Sequence, residues 1–246
     1  GLCGGTLGSA THAAHSMSGC FCTLNEGRET KRHRVTEARE QGMRYDLKRD
    51  LGALYRPPTG RFVQVDVPEM QYLAVDGHGD PNTEPAYRAA VEALYVSGYQ
   101  VRGAVKKRTG SDFVVGPLEG LWSSVDPTTF VQGTKSEWDW TMLIPLPAQV
   151  SAEDVAEGLA AASAKKPAAP IAQVSHLRMT EGLCLQTLHI GSYDDEAPVL
   201  AHLHDELMPQ LGFTWNGRHH EIYLGDPRRT APEKLRTILR QPVAPA

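Results

Sequence analysis

The 246-residue chain carries too little cysteine, positive charge and unbroken apolar sequence for several classes of protein. Its four cysteines are Cys3, Cys20, Cys22 and Cys184. They form no disulfide framework, because the first three fall in a stretch without a repeating apolar face. Cys20-Phe21-Cys22 lacks a second ligand pair at zinc spacing, so no metal is expected. A formal net charge of −4 offers no clustered basic surface, which argues against direct nucleic-acid binding. No apolar run approaches the roughly 18 residues of a membrane span, and no charged-then-apolar leader is visible. A reducing, cytoplasmic setting is the default expectation. Also missing are a serine elbow, a P-loop, a dinucleotide fingerprint and a His/Glu metal helix, so no cofactor is expected.

What is present divides near Met43. Residues 1–42 combine a Gly, Ala, Ser, Thr and His-rich stretch with a charged tract that includes Lys31-Arg32-His33-Arg34. Neither composition buries apolar surface, so this segment reads as a disordered N-terminal extension. With 41% hydrophobic residues, the remainder (43–246) can bury a good core as one domain. Its first half has strand patterns at Phe62–Val67, Gln71–Asp76, Asp112–Val115 and Trp138–Leu146, and a helical pattern from Glu84 to Ser97. Ser151 and Asp154 cap an Ala-rich helix running to about Ser163. After a linker, Lys165–Pro170, the order returns: a strand at Leu183–Ile190, a turn at Gly191–Asp195, a helix at Pro198–Leu211, and a strand around Glu221. Thr230 would then cap a short helix, with Glu233 three residues on. Tyr72–Gly77 lines up with Gln186–Gly191, Glu84–Tyr87 with Glu196–Val199, and Trp140–Ala152 with His220–Ala231. An α+β fold follows, with two pseudo-symmetric strand–helix–strand–strand repeats (about 60–165 and 171–243) in one domain and a ligand groove between them.

The most informative stretch is Gly217–Arg229. As a strand it turns Ile222 and Leu224 to one face and His219, Glu221 and Tyr223 to the other, giving a core side and a working side. Trp122, Trp138, Trp140, Tyr193 and Tyr223 supply large rings at strand or turn positions, suited to a planar aromatic or amphipathic small molecule. Trp138 and Trp140 share a strand face with Met142 and Ile144, so packing alone also explains them. Glu221, a carboxylate among aromatics, either awaits a cation or activates a water. Tyr193 and Tyr223 are candidate donors to a substrate carbonyl. His189 and His219 are candidate ligand contacts, though a strand histidine is more often a satisfied polar residue. Glu181, before Gly182, reads as a solvent-exposed strand start, and Arg228 and Arg229 as partners of nearby acids.

Several motifs resemble signatures of the GyrI-like family: Gly77-x-Gly79-Asp80-Pro81-Asn82, Pro117-Leu118-Glu119-Gly120-Leu121-Trp122, and Lys135-Ser136-Glu137-Trp138-x-Trp140-Thr141. So do Leu188-His189-Ile190-Gly191-x-Tyr193-Asp194 and His219-His220-Glu221-Ile222-Tyr223-Leu224-x-Asp226-Pro227-Arg228-Arg229. The resemblance implies a small-molecule-binding domain of two repeats, found alone or as the drug-sensing half of multidrug-responsive transcription regulators. No helix-turn-helix segment is evident, so the stand-alone branch fits better. That branch includes hydrolases that open the cyclopropane ring of DNA-alkylating natural products. In this light Glu221 would be the base on water in a hydrolase, or the countercharge for cationic drugs in a binder or sensor. A gyrase-inhibitor-type interaction protein is the third reading, without a supporting surface in the sequence. Ser123 departs from the pattern, standing where a second aromatic is expected after Trp122.

Overall fold

The computed structural model describes residues 44–124 and 134–246; the expected extension 1–42, with Cys3, Cys20 and Cys22, lies outside them. Six antiparallel strands close into a barrel: β1 (Val63–His78), β2 (Leu118–Ser124), β3 (Trp138–Leu146), β4 (Ser175–Ile190), β6 (His219–Tyr223) and β7 (Arg236–Pro245). Their order is β4-β1-β3-β2-β6-β7, and β7 pairs back onto β4 to close the ring. The short β5 (Phe213–Trp215) pairs with the far end of β7. Closure leaves no long unpaired edge among these strands.

The period-2 alternation of each strand divides its side chains between barrel interior and outer surface. Tyr72 and Ala74, Leu121, Leu143, Cys184 and Leu188, Ile222 and Ile238 fill the interior, joined by Leu54 and Tyr55 from the short helices Leu47–Asp50 and Gly52–Tyr55. The outer faces of β1, β3 and β2 present Leu73, Val75, Met142, Ile144, Trp140 and Trp122 to two helices. The first, α1 (Pro85–Thr109), buries Ala90, Ala93, Leu94, Val101 and Val105. Glu84 caps its N-terminus, and Gly110, in the left-handed conformation at φ 72°, ends it after Lys106, Lys107 and Arg108. The second, α2 (Ala152–Lys165), has the expected Ser151–Asp154 capping box. A helical segment through residues 197–210, with a π turn at His202–Leu207, covers β4 and β7 through Leu203 and Met208.

Four local expectations change. The two strand patterns 62–67 and 71–76 are one 16-residue strand. Pro68 interrupts the pattern without breaking the strand: β1 keeps its register with β4 on both sides of it, Val67 opposite Gly182 and Glu69 opposite Thr180, and β3 pairs only from Gln71 onward. β4 begins at Ser175 and runs through Gly182, whose φ of 65° bends it without ending it. Asp112–Val115 is no strand: only Phe113 makes an isolated bridge, to Tyr45. Thr230 does not cap a helix. Asp226 closes that turn by accepting from Arg229 and Thr230 N–H, and a single 3-10 turn follows at Pro232–Lys234.

A fifth correction concerns charge. Glu181 is 7% exposed and lies inside the barrel rather than in solvent. Its carboxylate accepts from His220 Nδ1 at 2.9 Å and from Arg240 Nη1 at 3.1 Å. His220 Nε2 lies 3.0 Å from Glu119 Oε2, and Tyr55 donates to Glu119 Oε1 at 2.8 Å. Arg240 completes its shell with Gln186 Oε1 and the Leu54 carbonyl. Burial alone would lower the His220 pKa, but Glu181 and Glu119 outweigh it and hold the ring charged, with a value of about 9. Burial alone would likewise raise Glu181, yet His220 and Arg240 bring it to about 2.

Candidate functional site

On the outer face of the barrel, β6 places His219, Glu221 and Tyr223 on one side while His220 and Ile222 turn inward, the division expected from alternation. Register sets their neighbours. Glu221 lies opposite Gly120, His219 opposite Trp122, and Tyr223 between Leu118 and Thr237. Gly120 leaves the space that the polar pair above it needs: a Cβ there would stand 2.8 Å from Trp122 Nε1 and 3.2 Å from the Tyr223 hydroxyl. Into that space run two hydrogen bonds in series. Trp122 Nε1 donates to the Tyr223 hydroxyl at 3.0 Å, and Tyr223 donates to Glu221 Oε2 at 2.7 Å. Such a chain polarises along its length and fixes the carboxylate.

Rings enclose this chain. Tyr87, in the first turns of α1, stacks on Trp122 with centroids 6.5 Å apart, and Trp138 meets Trp122 edge-on at 5.6 Å. Tyr193 meets Tyr223 edge-on at 5.7 Å from the 3-10 turn Tyr193–Glu196. Ser192 and Asp195 lock that turn with a 2.7 Å hydrogen bond. Lys135 stands over the Trp138 ring and 3.5 Å from Asp194. The enclosure therefore draws on both parts of the chain: Tyr87, Trp122, Trp138 and Lys135 from the first, Tyr193, Glu196, Glu221 and Tyr223 from the second.

Electrostatics single out two carboxyls. Burial pushes Glu221 up to about 7, against the opposing pull of the Tyr223 hydrogen bond, His220 and Lys135. Burial pushes Glu196 further, to about 9, and the charge of Glu221 adds to it. The two titrate as a pair. Burial also raises Tyr193 to about 12 and Tyr223 well above the usual phenol range, so both keep their protons.

The remaining candidates sit at the margins. Trp140 is fully buried; it lies across Gly77, where a Cβ would collide with the indole, donates to the Gly79 carbonyl at 3.2 Å, and meets Tyr87 edge-on. His189 Nε2 donates to the Ser192 carbonyl at 3.1 Å and so anchors the turn that carries Tyr193. His219 has no hydrogen bond to either ring nitrogen among the described residues. Its Nε2 is 3.6 Å from Glu221 Oε1, but burial pushes its pKa down to about 3, so the contact is not an ion pair. Sequence reasoning did not pick out Tyr87, Gly120, Lys135, Glu196 or Thr237 as site residues. Among the described residues no group of three or more His, Cys, Asp or Glu side chains is arranged to hold a metal ion. No described helix is long and apolar enough to cross a membrane.

A family model described as the GyrI-like small molecule binding domain matches residues 62–244. A comparison with curated proteins finds no match. Among solved structures, an uncharacterized conserved protein from Listeria innocua is 36% identical, covering 82% of this chain and 100% of its own, with a TM-score of 0.75. Two structures described as hydrolases from the same organism are 35% and 34% identical over the same shares of each chain, with TM-scores of 0.70 and 0.73. The matched span holds the strands of the barrel, all but the last residue of β7, and every residue of the enclosure, and the chain belongs to the GyrI-like family of small-molecule-binding domains.

Proposed function

We propose that this protein is a cofactor-free hydrolase that opens the cyclopropane ring of planar, conjugated DNA-alkylating natural products, a detoxification. The reading is carried by the Trp122–Tyr223–Glu221 chain set inside an aromatic enclosure: a base held in place where a flat ring system stacks. The description of two relatives as hydrolases supports it. The proton of Tyr223 is committed to Glu221, so Tyr223 positions the base. Tyr193, 38% exposed, is the hydroxyl that reaches the substrate carbonyl. Glu221 takes a proton from water as the water oxygen bonds to a ring carbon. The breaking C–C bond delivers its electron pair to the conjugated carbonyl, whose oxygen then gains a proton. Trp122, Trp138 and Tyr87 hold the plane of the substrate, and His219, beside Glu221, presents a neutral ring to the same space.

General-base assistance is worth roughly 10²–10⁴ in rate. Incubation with cyclopropyl-bearing alkylators should give a product one water heavier by mass. Glu221→Gln should lower turnover by that factor and leave binding nearly unchanged. Equal rates in the two proteins would remove Glu221 as the base.

One observation favours a second reading, a binder or sensor of amphipathic cations. Two buried carboxyls, Glu196 and Glu221, face an enclosure in which Lys135 is the cation acting on both. A binder shows no turnover in either form, and Glu221→Gln then weakens cationic ligands selectively.

A further inference from the structure

Glu196 has no part in base catalysis by Glu221, yet it is built into the same enclosure. It is 4% exposed, and its Oε1 is buried without a hydrogen bond among the described residues. It ends the 3-10 turn that begins at Tyr193. Side chains three apart in such a turn eclipse one another, so Glu196 and Tyr193 project to the same side, where Tyr193 meets Tyr223. The groups acting on Glu196 are Glu221 from β6, the Thr237 hydroxyl from β7, Lys135 ahead of β3, and its neighbour Asp194. Lys135 is already engaged by Asp194 at 3.5 Å and by the Trp138 ring.

Two carboxylates sharing a dry site do not both ionise, and the one with the better support ionises first. Glu221 has that support in the Tyr223 hydrogen bond and the charge of His220 behind β6. Glu196 has neither. We propose that Glu196 is the acid of the site, a neutral carboxyl that donates its O–H to the acceptor oxygen of the bound molecule beside the Tyr193 hydroxyl. The assignment rests on the hydrolase reading in taking that acceptor to be a conjugated carbonyl. The atoms then balance. Water gives a proton to Glu221 and its oxygen to the ring carbon; the C–C pair moves to the carbonyl oxygen, which takes the Glu196 proton. Transfer of the held proton from Glu221 to Glu196 restores the pair, and the sum is addition of one water. Tyr193, with a pKa of about 12, donates a hydrogen bond but is a poor proton source, whereas Glu196, at about 9, is a proton source near neutrality.

The test uses the full chain with a spirocyclopropyl cyclohexadienone and the same ring system lacking the carbonyl. At pH 8 the infrared spectrum of the free wild-type protein should show a protonated-carboxyl C=O band that Glu196→Gln lacks. A wild type without that band, or Glu196→Gln retaining it, overturns the assignment. Glu196→Met, folded as judged by its melting temperature, should bind the dienone about tenfold more weakly and the carbonyl-free analogue equally well. Equal weakening of both probes also overturns it. The wild-type rate should rise as Glu221 ionises and fall as Glu196 does, and Glu196→Gln should lose the alkaline fall together with roughly 10²–10⁴ in rate. If the band and the binding pattern hold but no water is added to the dienone, the hydrolase reading fails alone and Glu196 stands as a hydrogen-bond donor to carbonyl ligands.

Discussion

Two groups of buried carboxylates lie back to back across β6, and their neighbours treat them in opposite ways. Inside the barrel, Glu119 and Glu181 meet a charged histidine and an arginine, and every strong donor among them finds an acceptor. Outside it, Glu196 and Glu221 share one enclosure, with a tyrosine hydroxyl as the hydrogen bond to Glu221 and Lys135 as the cation acting on both. Glu181 is held ionised, and the outer pair is pushed toward the protonated form. A buried charge that is fully matched does structural work. One left short of partners is held ready for a ligand or a proton. His220 belongs to both settings, since its imidazolium is neutralised inside the barrel yet favours ionisation of Glu221 on the far side of the same strand.

The comparison breaks most visibly on the interior side. Arg240→Met leaves Glu181 with half its compensation and should cost about 3–5 kcal/mol in urea unfolding. The pH dependence should follow the same ions. Glu181 sits at about 2, below the usual carboxylate value near ~4.3, so its stabilisation is present above that usual value and lost as pH falls through about 2. His220 sits at about 9, above its usual ~6.5, so its contribution is present below that usual value and lost as pH rises through about 9. A variant whose unfolding curve matches the wild type would show the network to be dispensable.

The two tryptophans on neighbouring strands sharpen the contrast between packing and binding. Trp140→Ala removes a fully buried ring that fills the space over Gly77 and should cost about 3–5 kcal/mol of stability. Trp122→Ala, checked for folding, removes a stacking wall and should weaken a planar ligand roughly ten- to a hundredfold, about 1–3 kcal/mol. Calorimetric unfolding and fluorescence titration on both variants separate the roles. If Trp122→Ala binds normally, the enclosure is not where the ligand stacks.

Much of this was legible locally. The split between Ile222 and Glu221 follows from alternation, and the Ser151–Asp154 capping box from a four-residue signature. Glu221 stands out in sequence as a carboxylate among aromatics, and in the fold Tyr223 and Trp122 join it in one hydrogen-bond chain with Tyr193 packed on Tyr223. What stayed hidden depends on register between distant strands. Glu181 meets His220 and Arg240, 39 and 59 positions away, through pairing that no local period encodes, and beside Gly182 it resembled an exposed strand start. Glu196 was hidden for a related reason: in sequence it follows two acids on a polar turn, and only the fold puts that turn against β6 and β7.

A smaller effect tests the outer pair by stability alone. Glu196 holds its proton up to about 9 in the folded protein, well above the usual ~4.3, so the folded state binds the proton more tightly. Stability therefore declines as pH rises through that window. Glu196→Gln removes the decline, so its melting temperature should equal the wild type's at pH 4. At pH 9 it should be higher, on the order of 2–4 °C if about 1 kcal/mol is regained. A variant that melts lower at both pH values would mean that the carboxyl is ionised and paired in the folded protein.

The smallest expected effect concerns residues 1–42. Their composition gives no repeating apolar face, and every residue of both carboxylate groups lies beyond Met43. The charged tract Arg28–Arg39 has no apolar face to bury, and ion pairs between such a tract and a protein surface are worth little in physiological salt. A chain beginning at Met43 should therefore melt within error of the full chain and bind a planar aromatic ligand equally well. Both measurements belong in low and high salt. A loss confined to low salt would show the basic tract steering an anionic ligand toward the barrel, while a loss in both would show that part of the core is supplied from the first 42 residues.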